Sequence, residues 1–400
     1  MATNKKIPKC PPLRFPQFND EWKQTTLGEL LNFYSTNSYS WNQLDYKHGS
    51  IYNVHYGLIH KGLPTICSLD KVKLPLIKEE IDINKYTMCK AGDLIIADAS
   101  EDTDDVGKAI EIVECEDKQV VAGLHTIHAR SKRCITSLGF KGYLLASKGI
   151  KEQIRQVAQG TKVYSISAKL LAPLIASLPS LAEQEKIASF LSLIDERIES
   201  CSETIKERKR EKAALLNQLF SQKLRFPQFS DEWQQTTLGE ICTIKTGKLD
   251  ANAMIEGGRY PFFTCAKQTY QTDTYSFSGE AILVAGNGEV GLTKYYNGKF
   301  NAYQRTYVLQ SLRRDIILRL IRNYIDHALP KRIVSLRNGS AMPYITLSTL
   351  RDMPIFLPSL AEQKKIADFL SLIDEHIEVE EELLEQYERQ KRYLLRQMFT

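Results

Sequence analysis

Two stretches of this chain, LPSLAEQEKIASFLSLIDERIE at Leu178–Glu199 and LPSLAEQKKIADFLSLIDEHIE at Leu357–Glu378, agree at 19 of 22 positions. Identity of that order within one chain is an internal duplication, and it limits every other reading of the fold. Each copy opens on Leu-Pro-Ser, a strand-to-helix boundary, and continues for about forty residues free of Gly and Pro. A second pair, LRFPQFNDEWKQTTLGEL at Leu13–Leu30 and LRFPQFSDEWQQTTLGEI at Leu224–Ile241, agrees at 15 of 18 positions. These lead-in motifs lie 211 residues apart and the LPSLAEQ copies 179 apart, so the first intervening segment is 32 residues longer than the second (211 − 179 = 32). The chain is therefore a lead-in, a variable segment and a long helix, written twice.

Both helical stretches carry a coiled-coil register. Ile187, Leu191, Ile194, Ile198, Cys201, Ile205, Leu215 and Leu219 follow steps of three and four, with Arg208 and Lys212 in the two slots between Ile205 and Leu215. The second copy runs Ile366, Leu370, Ile373, Ile377, Glu380, Leu384, Tyr387, Lys391, Leu394 and Met398. A helix from Ser180 to Phe220 would be roughly 60 Å long at 1.5 Å per residue. Lysines in core slots (Lys212, Lys391) favour fixed pairing over maximal stability. The two helices are expected to pack antiparallel against each other, the competing reading being an amphipathic helix lying on its own domain. After Leu219-Phe220 the lead-in follows within a few residues, whereas Met398-Phe399 is followed only by Thr400. If the halves are alike, the C-terminal helix must return to the first domain, which makes the arrangement circular and pseudo-two-fold.

The segments between helices read as globular. Asp93–Ala97, Gln119–Gly123 and Val163–Ile166 in the first, and Ala281–Ala285 and Thr306–Leu309 in the second, are apolar runs of strand length. Gly142–Gln159 and Leu312–Arg332 read as helices. Gly92-Asp93 corresponds to Gly279-Glu280, and Gln159-Gly160-Thr161 to Asn338-Gly339-Ser340. The fold class is thus α+β: two mixed α/β domains, 1–178 and 223–357, separated by two long helices, 179–222 and 358–400, that form an antiparallel coiled coil.

Composition narrows the function. Net charge is +5, from 53 Lys and Arg against 48 Asp and Glu, compatible with nucleic acid without requiring it. Eight cysteines show no CxxC pair, so reduced thiols in a cytoplasmic protein are expected rather than disulfides or zinc. No signal peptide or membrane span is read.

The paired LPSLAEQ-x-KIA-x-FLSLIDE helices, the Phe-Pro-x-Phe-x-x-x-Trp-x-x-x-x-Leu-Gly-Glu lead-ins and the Gln/Asn-Gly-Thr/Ser elements resemble the specificity subunits of type I restriction–modification enzymes, over essentially all 400 residues. The resemblance implies two target recognition domains, each reading one half of a bipartite sequence in double-stranded DNA. It implies helices that set the gap between half-sites and dock two adenine methyltransferase subunits. It further implies restriction subunits that translocate DNA. S-adenosylmethionine, ATP and magnesium would belong to those partners, with no cofactor bound by this chain and no membrane association. The 32-residue difference puts a shared side-chain-to-base code between the two domains in doubt.

The local motifs point to no catalytic site. Gly286-Asn287-Gly288-Glu289-Val290-Gly291 is formally GxGxxG, but the β-prone Leu292–Asn297 follows where a dinucleotide site needs a helix, and Thr306 stands where the acid should be. It reads as a hairpin loop. The pairs His55/His60 and His125/His128 match no metal spacing. The acidic run Asp98, Glu101, Asp102, Asp104 and Asp105 lacks the EF-hand glycine and terminal glutamate. Candidate DNA contacts are Ser38, Ser40, Trp41, His60, Lys61, His125, Gln159, Thr161 and Lys162 in the first domain, and Lys245, Thr246, Lys248, Asn287, Lys294, Gln304, Arg305, Arg332 and Asn338 in the second. Arg and Lys suit guanine, Gln and Asn suit adenine, and solvated surface is the competing reading for each. The mixed-charge run Lys206–Lys212 reads as an exposed or partner-docking helix face. The alternatives to DNA recognition are a coiled-coil protein–protein adaptor and a nucleotide-dependent enzyme using the glycine loop.

Overall fold

The computed structural model of the chain describes residues 10–78, 85–115, 118–335 and 344–400. The residues fall into two compact units, one of Met1–Cys201 with Leu383–Thr400 and the other of Ser202–Glu382. Each long helix, Leu181–Phe220 and Leu360–Gln397, begins in one unit and ends in the other.

Both units start the same way. Thr26 and Glu29 form a capping box, Thr26 N donating to Glu29 Oε2 at 3.1 Å and Glu29 N to Thr26 Oγ1 at 3.2 Å. Thr237 and Glu240 form its counterpart. The strand before each box pairs antiparallel with the strand that enters the long helix. Lys23–Thr26 lies on Ile175–Leu178 in the first unit, and Gln234–Thr237 on Pro354–Leu357 in the second. The two lead-ins are therefore stitched to the two LPSLAEQ starts, which explains why the motifs repeat together.

The repeated Ala-Glu-Gln completes that joint. Glu183 is 1% exposed and accepts from Arg14 Nε at 2.6 Å, Arg14 Nη2 at 2.7 Å and Trp22 Nε1 at 3.4 Å. Glu362, also 1% exposed, accepts from Arg225 Nε at 3.0 Å, Arg225 Nη2 at 2.8 Å and Trp233 Nε1 at 3.2 Å. A two-pronged guanidinium on a carboxylate fixes orientation as well as distance. The neighbouring glutamines hold a loop of each domain. Gln184 donates to Pro179 O and Ile135 O and accepts from Ser137 N. Gln363 does the same with Pro358 O, Asp315 O and Ile317 N. Edge-to-face pairs Phe15–Phe190 (5.7 Å) and Phe226–Phe369 (5.9 Å) close the apolar side of each joint.

The C-terminal helix does return to the first domain. Leu13 N donates to Gln397 O at 2.9 Å, the counterpart of the Leu224 N to Gln218 O bond (3.1 Å) made within continuous chain in the second unit. Leu394, Met398 and Phe399 enter the first unit's core beside Trp22, Phe140 and Leu191. The helix segments run antiparallel: in the second unit Lys212 reaches Asp374 and Lys209 reaches Glu381. In the first, Lys391 reaches Asp195, the equivalent pair. Both core-slot lysines thus meet a carboxylate. Two slots, Arg208 and Leu215, differ from the expected register: Leu216 is buried and Leu215 only partly, because Leu216 packs into the cluster of Trp233, Leu320 and Leu370. Arg208 is exposed.

The central sheets share a three-strand frame. In the first unit the order is Leu31–Tyr34, Thr126–Ser131, Leu94–Ala97, Ala109–Glu114 and Ile66–Ser68, antiparallel except for the last pair. In the second it is Cys242–Thr246, Thr306–Ser311, Phe277–Ala285, Thr293–Ala302, Tyr260–Phe263 and Thr269–Thr272. Ser131 lies opposite Leu31 and Thr126 opposite Ala97; Ser311 lies opposite Cys242 and Thr306 opposite Ala285. The residue offset between equivalent positions falls from 211 at Thr26/Thr237 to 188 at Ala97/Ala285, 180 at Thr126/Thr306 and 179 at Ile175/Pro354. Most of the 32 extra residues therefore lie before Leu94. There Tyr52–Val54, Leu76–Ile77 and Leu44–Asp45 form a four-stranded sheet with the later strand Val120–Ala122, beside a short helix, Tyr56–Lys61.

The helix readings need adjustment. Gly142–Gln159 is two helices, Phe140–Ala146 and Lys148–Val157, parted at Ser147, whose extended backbone (ψ 154°) ends the one and starts the other. The helix expected at Leu312–Arg332 runs Leu318–Ser335, because Arg313 pairs with Asp315 and Ile317 N is held by Gln363, leaving 312–317 as a docked loop.

Replacing Arg14 by Ala strands the buried Glu183 carboxylate. The expected cost is about 3 kcal/mol, the lower end for an unpaired buried charge since Trp22 remains. Denaturant unfolding of the full chain should show the Arg14→Ala/Glu183→Gln double variant recovering part of that loss. Equal stability of wild type and Arg14→Ala would contradict the joint's role.

Candidate nucleic-acid interface

In both units several of the candidate contact residues gather at one end of the central frame. Four loops meet there in the first unit: the segment after Leu31–Tyr34, the turn after Leu94–Ala97, the turn before Thr126–Ser131, and the loop 158–165 closed by a Gln159–Ser165 bridge. Ile166 N donates to Asp98 O (2.8 Å) and Asp98 N to His125 O (3.1 Å), tying the last three together. Gln159, Thr161 and Lys162 are exposed on the closing loop.

The extra residues of the first unit add an aromatic cluster here. Trp41 stacks on His55 at 4.4 Å, His55 on Tyr56 at 4.7 Å, and the Tyr56 ring meets His125 at 5.2 Å and His60 at 5.8 Å. Lys61 Nζ lies 5.5 Å from the Trp41 ring. Four of the residues read as DNA contacts, Trp41, His60, Lys61 and His125, are thereby joined, though far apart in sequence. Ser40 bonds Gln43 while Ser38 is exposed. His60 Nε2 lies 2.9 Å from Ala99 O, and His125 Nδ1 lies 3.2 Å from Asp98 Oδ1. Burial pushes the Asp98 carboxyl up, and His125 pulls against it.

His55 and Tyr56 had no sequence signal as members of the cluster. His55 is buried and caps the Tyr56–Lys61 helix, its Nδ1 accepting from Gly57 N at 3.1 Å. Burial, reinforced by the charges of His125 and Lys61, drives its imidazole down to about 4. It stays neutral, which the cap requires.

In the second unit Lys245, Thr246 and Lys248 line a cleft of about 720 Å³ with Tyr307 and Gln310. Asn287 lies on the glycine loop, which joins Phe277–Ala285 to Thr293–Ala302 as a hairpin, as its composition led one to expect. Gly286 N donates to Arg305 O (2.9 Å), Ile345 N to Gly286 O (2.9 Å) and Gln304 N to Leu249 O (2.9 Å), bringing Lys248, Asn287, Gln304 and Arg305 to one loop end. Among the described residues the Arg305 side chain has no hydrogen-bond or ion-pair partner. Lys294 stands elsewhere, donating to Gln268 O and Thr269 Oγ1 in a smaller pocket where burial lowers its pKa. Arg332 donates to Thr349 O and Asp352 O, so its guanidinium is occupied within the fold. Asn338 lies outside the described residues.

Other clusters have structural partners. Cys89, Asp93 and His128 are buried together within 4.8 Å. Burial pushes the Asp93 carboxyl up, but bonds from Arg130 and His128 outweigh it and hold it below the usual range. A cation there would have to displace Arg130, which donates to both carboxylate oxygens at 2.7 Å. In the acidic loop Asp98 meets His125, Asp104 meets Arg155, and Asp105 meets Lys108. Among the described residues no helix is long and apolar enough to cross a membrane.

Taken together, each unit presents exposed polar, basic and aromatic side chains on loops held by a rigid sheet, a suitable platform for base edges and phosphates.

A family profile described as the type I restriction modification DNA specificity domain matches residues 230–389. The EcoDI specificity subunit of Escherichia coli is 41% identical over 157 residues, 39% of this chain and 34% of that protein, so the chain spans about a third of that relative's length in the match. The MjaVIII specificity subunit of Methanocaldococcus jannaschii is 25% identical over 301 residues, 64% of this chain and 69% of that one. Among solved structures, a type I restriction–modification S subunit from M. genitalium superposes with a TM-score of 0.66 at 19% identity, covering 98% of this chain and 99% of the other. A chain from a structure of type I complex assembly and conformational transition gives 0.51 at 17% identity, covering 96% and 98%.

A single titrating group makes the aromatic cluster testable. The unfolded His55 takes a proton near 6.5 and the folded one only near 4, so stability should fall as pH drops across that window. Asn at position 55 keeps a cap acceptor without titrating. Unfolding midpoints measured from pH 7 to pH 4 should have a shallower slope for His55→Asn than for wild type. Parallel slopes would contradict the assignment.

Proposed function

We propose that this chain is a specificity subunit of a type I restriction–modification system, the non-catalytic component that selects the DNA sequence on which such a complex acts, a reading that the matches to specificity subunits support. Each unit reads one half of a bipartite site in double-stranded DNA. One observation carries this reading: two units share lead-in, helix start and three-strand frame, yet present unlike loop ends. Shared scaffold with divergent loops is what recognition of two different half-sites requires.

The long helices act as the spacer between the readers and as docking surfaces. Leu181 and Leu360 are each 45% exposed, and Leu193 and Leu372 each 59%. These are equivalent positions in the two copies. Large apolar side chains held in solvent twice over at the same places support docking of two copies of one partner. The partners of this chain are two adenine methyltransferase subunits and the restriction subunits. Methyl transfer from S-adenosylmethionine and the ATP- and magnesium-dependent steps take place on them.

The test is segment exchange. Replacing residues 32–178 by the matching segment of a relative with a different target, and mapping methylated adenines in DNA exposed to the complex, should change one half of the methylated sequence and leave the other intact. A methylated sequence with both halves unchanged would overturn the reading.

A further inference from the structure

The divergent loop ends contain one position that does not diverge in structure. His125 and Arg305 each immediately precede a buried threonine, Thr126 and Thr306, that opens the middle strand of the frame. Each follows an alanine, Ala122 or Ala302, by the same number of residues. The carbonyl of each accepts from the residue just after the neighbouring strand, Asp98 N for His125 and Gly286 N for Arg305. That residue in turn accepts from Ile166 N or Ile345 N. Strand register and backbone hydrogen bonds match at the two positions, and both side chains are exposed.

What differs is the side chain and its control. In the first unit, Asp98 lies against His125 Nδ1, and His125 takes a left-handed backbone (φ 54°) that few residues other than glycine adopt. With Asp98 at Nδ1, the tautomer that carries its proton on that nitrogen has Nε2 as an acceptor. In the second unit the place of Asp98 is taken by Gly286, where any Cβ would come within 2.6 Å of Arg305 O. No carboxylate can stand there, and Arg305 is left with its donors free among the described residues. A backbone outlier that faces solvent and is held by a charged neighbour is the kind of strain found at functional positions.

Resting on the DNA-recognition reading above, we propose that His125 and Arg305 occupy one shared base-reading position of the duplicated fold. Arg305 reads a guanine in the half-site of the second unit through its O6 and N7 acceptors. His125 accepts from the amino group of an adenine or cytosine in the half-site of the first. The 32-residue difference between the segments thus leaves this position in register. Specificity is set there by the residue itself and by whether an acid or a glycine stands at position 98 or 286.

The experiment maps methylated adenines in a randomised DNA library treated with the full chain and its methyltransferase partner, for wild type, Arg305→Ala, His125→Arg and His125→Gly. Loss of a bidentate guanine contact should reduce discrimination at one position of one half-site by about 5- to 150-fold, the factor corresponding to 1–3 kcal/mol. His125→Arg should shift one position of the other half-site towards guanine, and His125→Gly, which keeps the left-handed backbone free of strain, should relax it. A wild-type sequence with two specified halves that stays unchanged in all three variants would overturn the shared position while leaving the recognition reading intact. A uniform fall in methylation on every sequence would overturn it as well, since a phosphate contact or a scaffold role behaves that way. A wild type that specifies no sequence at all would overturn both.

Discussion

The buried carboxylate at the start of each long helix is the constraint on which the rest of this structure depends. Glu183 and Glu362 are nearly inaccessible, and each is made tolerable only by an arginine and a tryptophan from the lead-in motif. A charge in such a place demands its partner, so the lead-in cannot detach from the helix without stranding it. Lead-in, capping box, paired strands and helix therefore form one rigid joint, made twice with the same residues. In the second unit the joint is fed by continuous chain, and in the first by a helix end that arrives from the other terminus. The same backbone bond, Gln218 to Leu224 and Gln397 to Leu13, closes both.

Much of this is legible in the sequence. The two repeats revealed the duplication and the helices, and the unequal offsets showed that the variation lies between them. The likeness of the two halves, with a helix end beside the second lead-in, made a helix end beside the first one expected as well. The glycine loop was readable as a hairpin because β-prone residues, and no helix, follow it. Less was legible where structure depends on side chains meeting across the fold. The Ala-Glu-Gln motif reads simply as helix-forming; nothing in the sequence says that Glu183 faces Arg14. The four-stranded sheet of the first unit is built from strands of two or three residues, too short for a period to show. The break at Ser147 depends on local backbone geometry, which carries no apolar pattern.

For the candidate interface, residue type and loop position picked out side chains of which the fold brings several together, but could not sort them. Trp41, His60, Lys61 and His125 converge because Tyr56 bridges them, and Tyr56 itself gave no sign of that role. Arg332, chemically as good a reader as Arg305, has its guanidinium tied to two carbonyls. The extra residues behind the 32-residue difference enter mainly before Leu94 and leave the strand frame in register. A shared frame with different loop ends is what the proposed reading of unlike half-sites requires.

The most direct test of the proposed function is a hydroxyl-radical footprint of the full chain with the proposed methyltransferase partner on DNA carrying the sequence that such a complex methylates. Two protected tracts, one over each half of that sequence and separated by accessible sugars, are predicted. A single tract over one half, or none, would contradict an assembly of two readers held on a common scaffold.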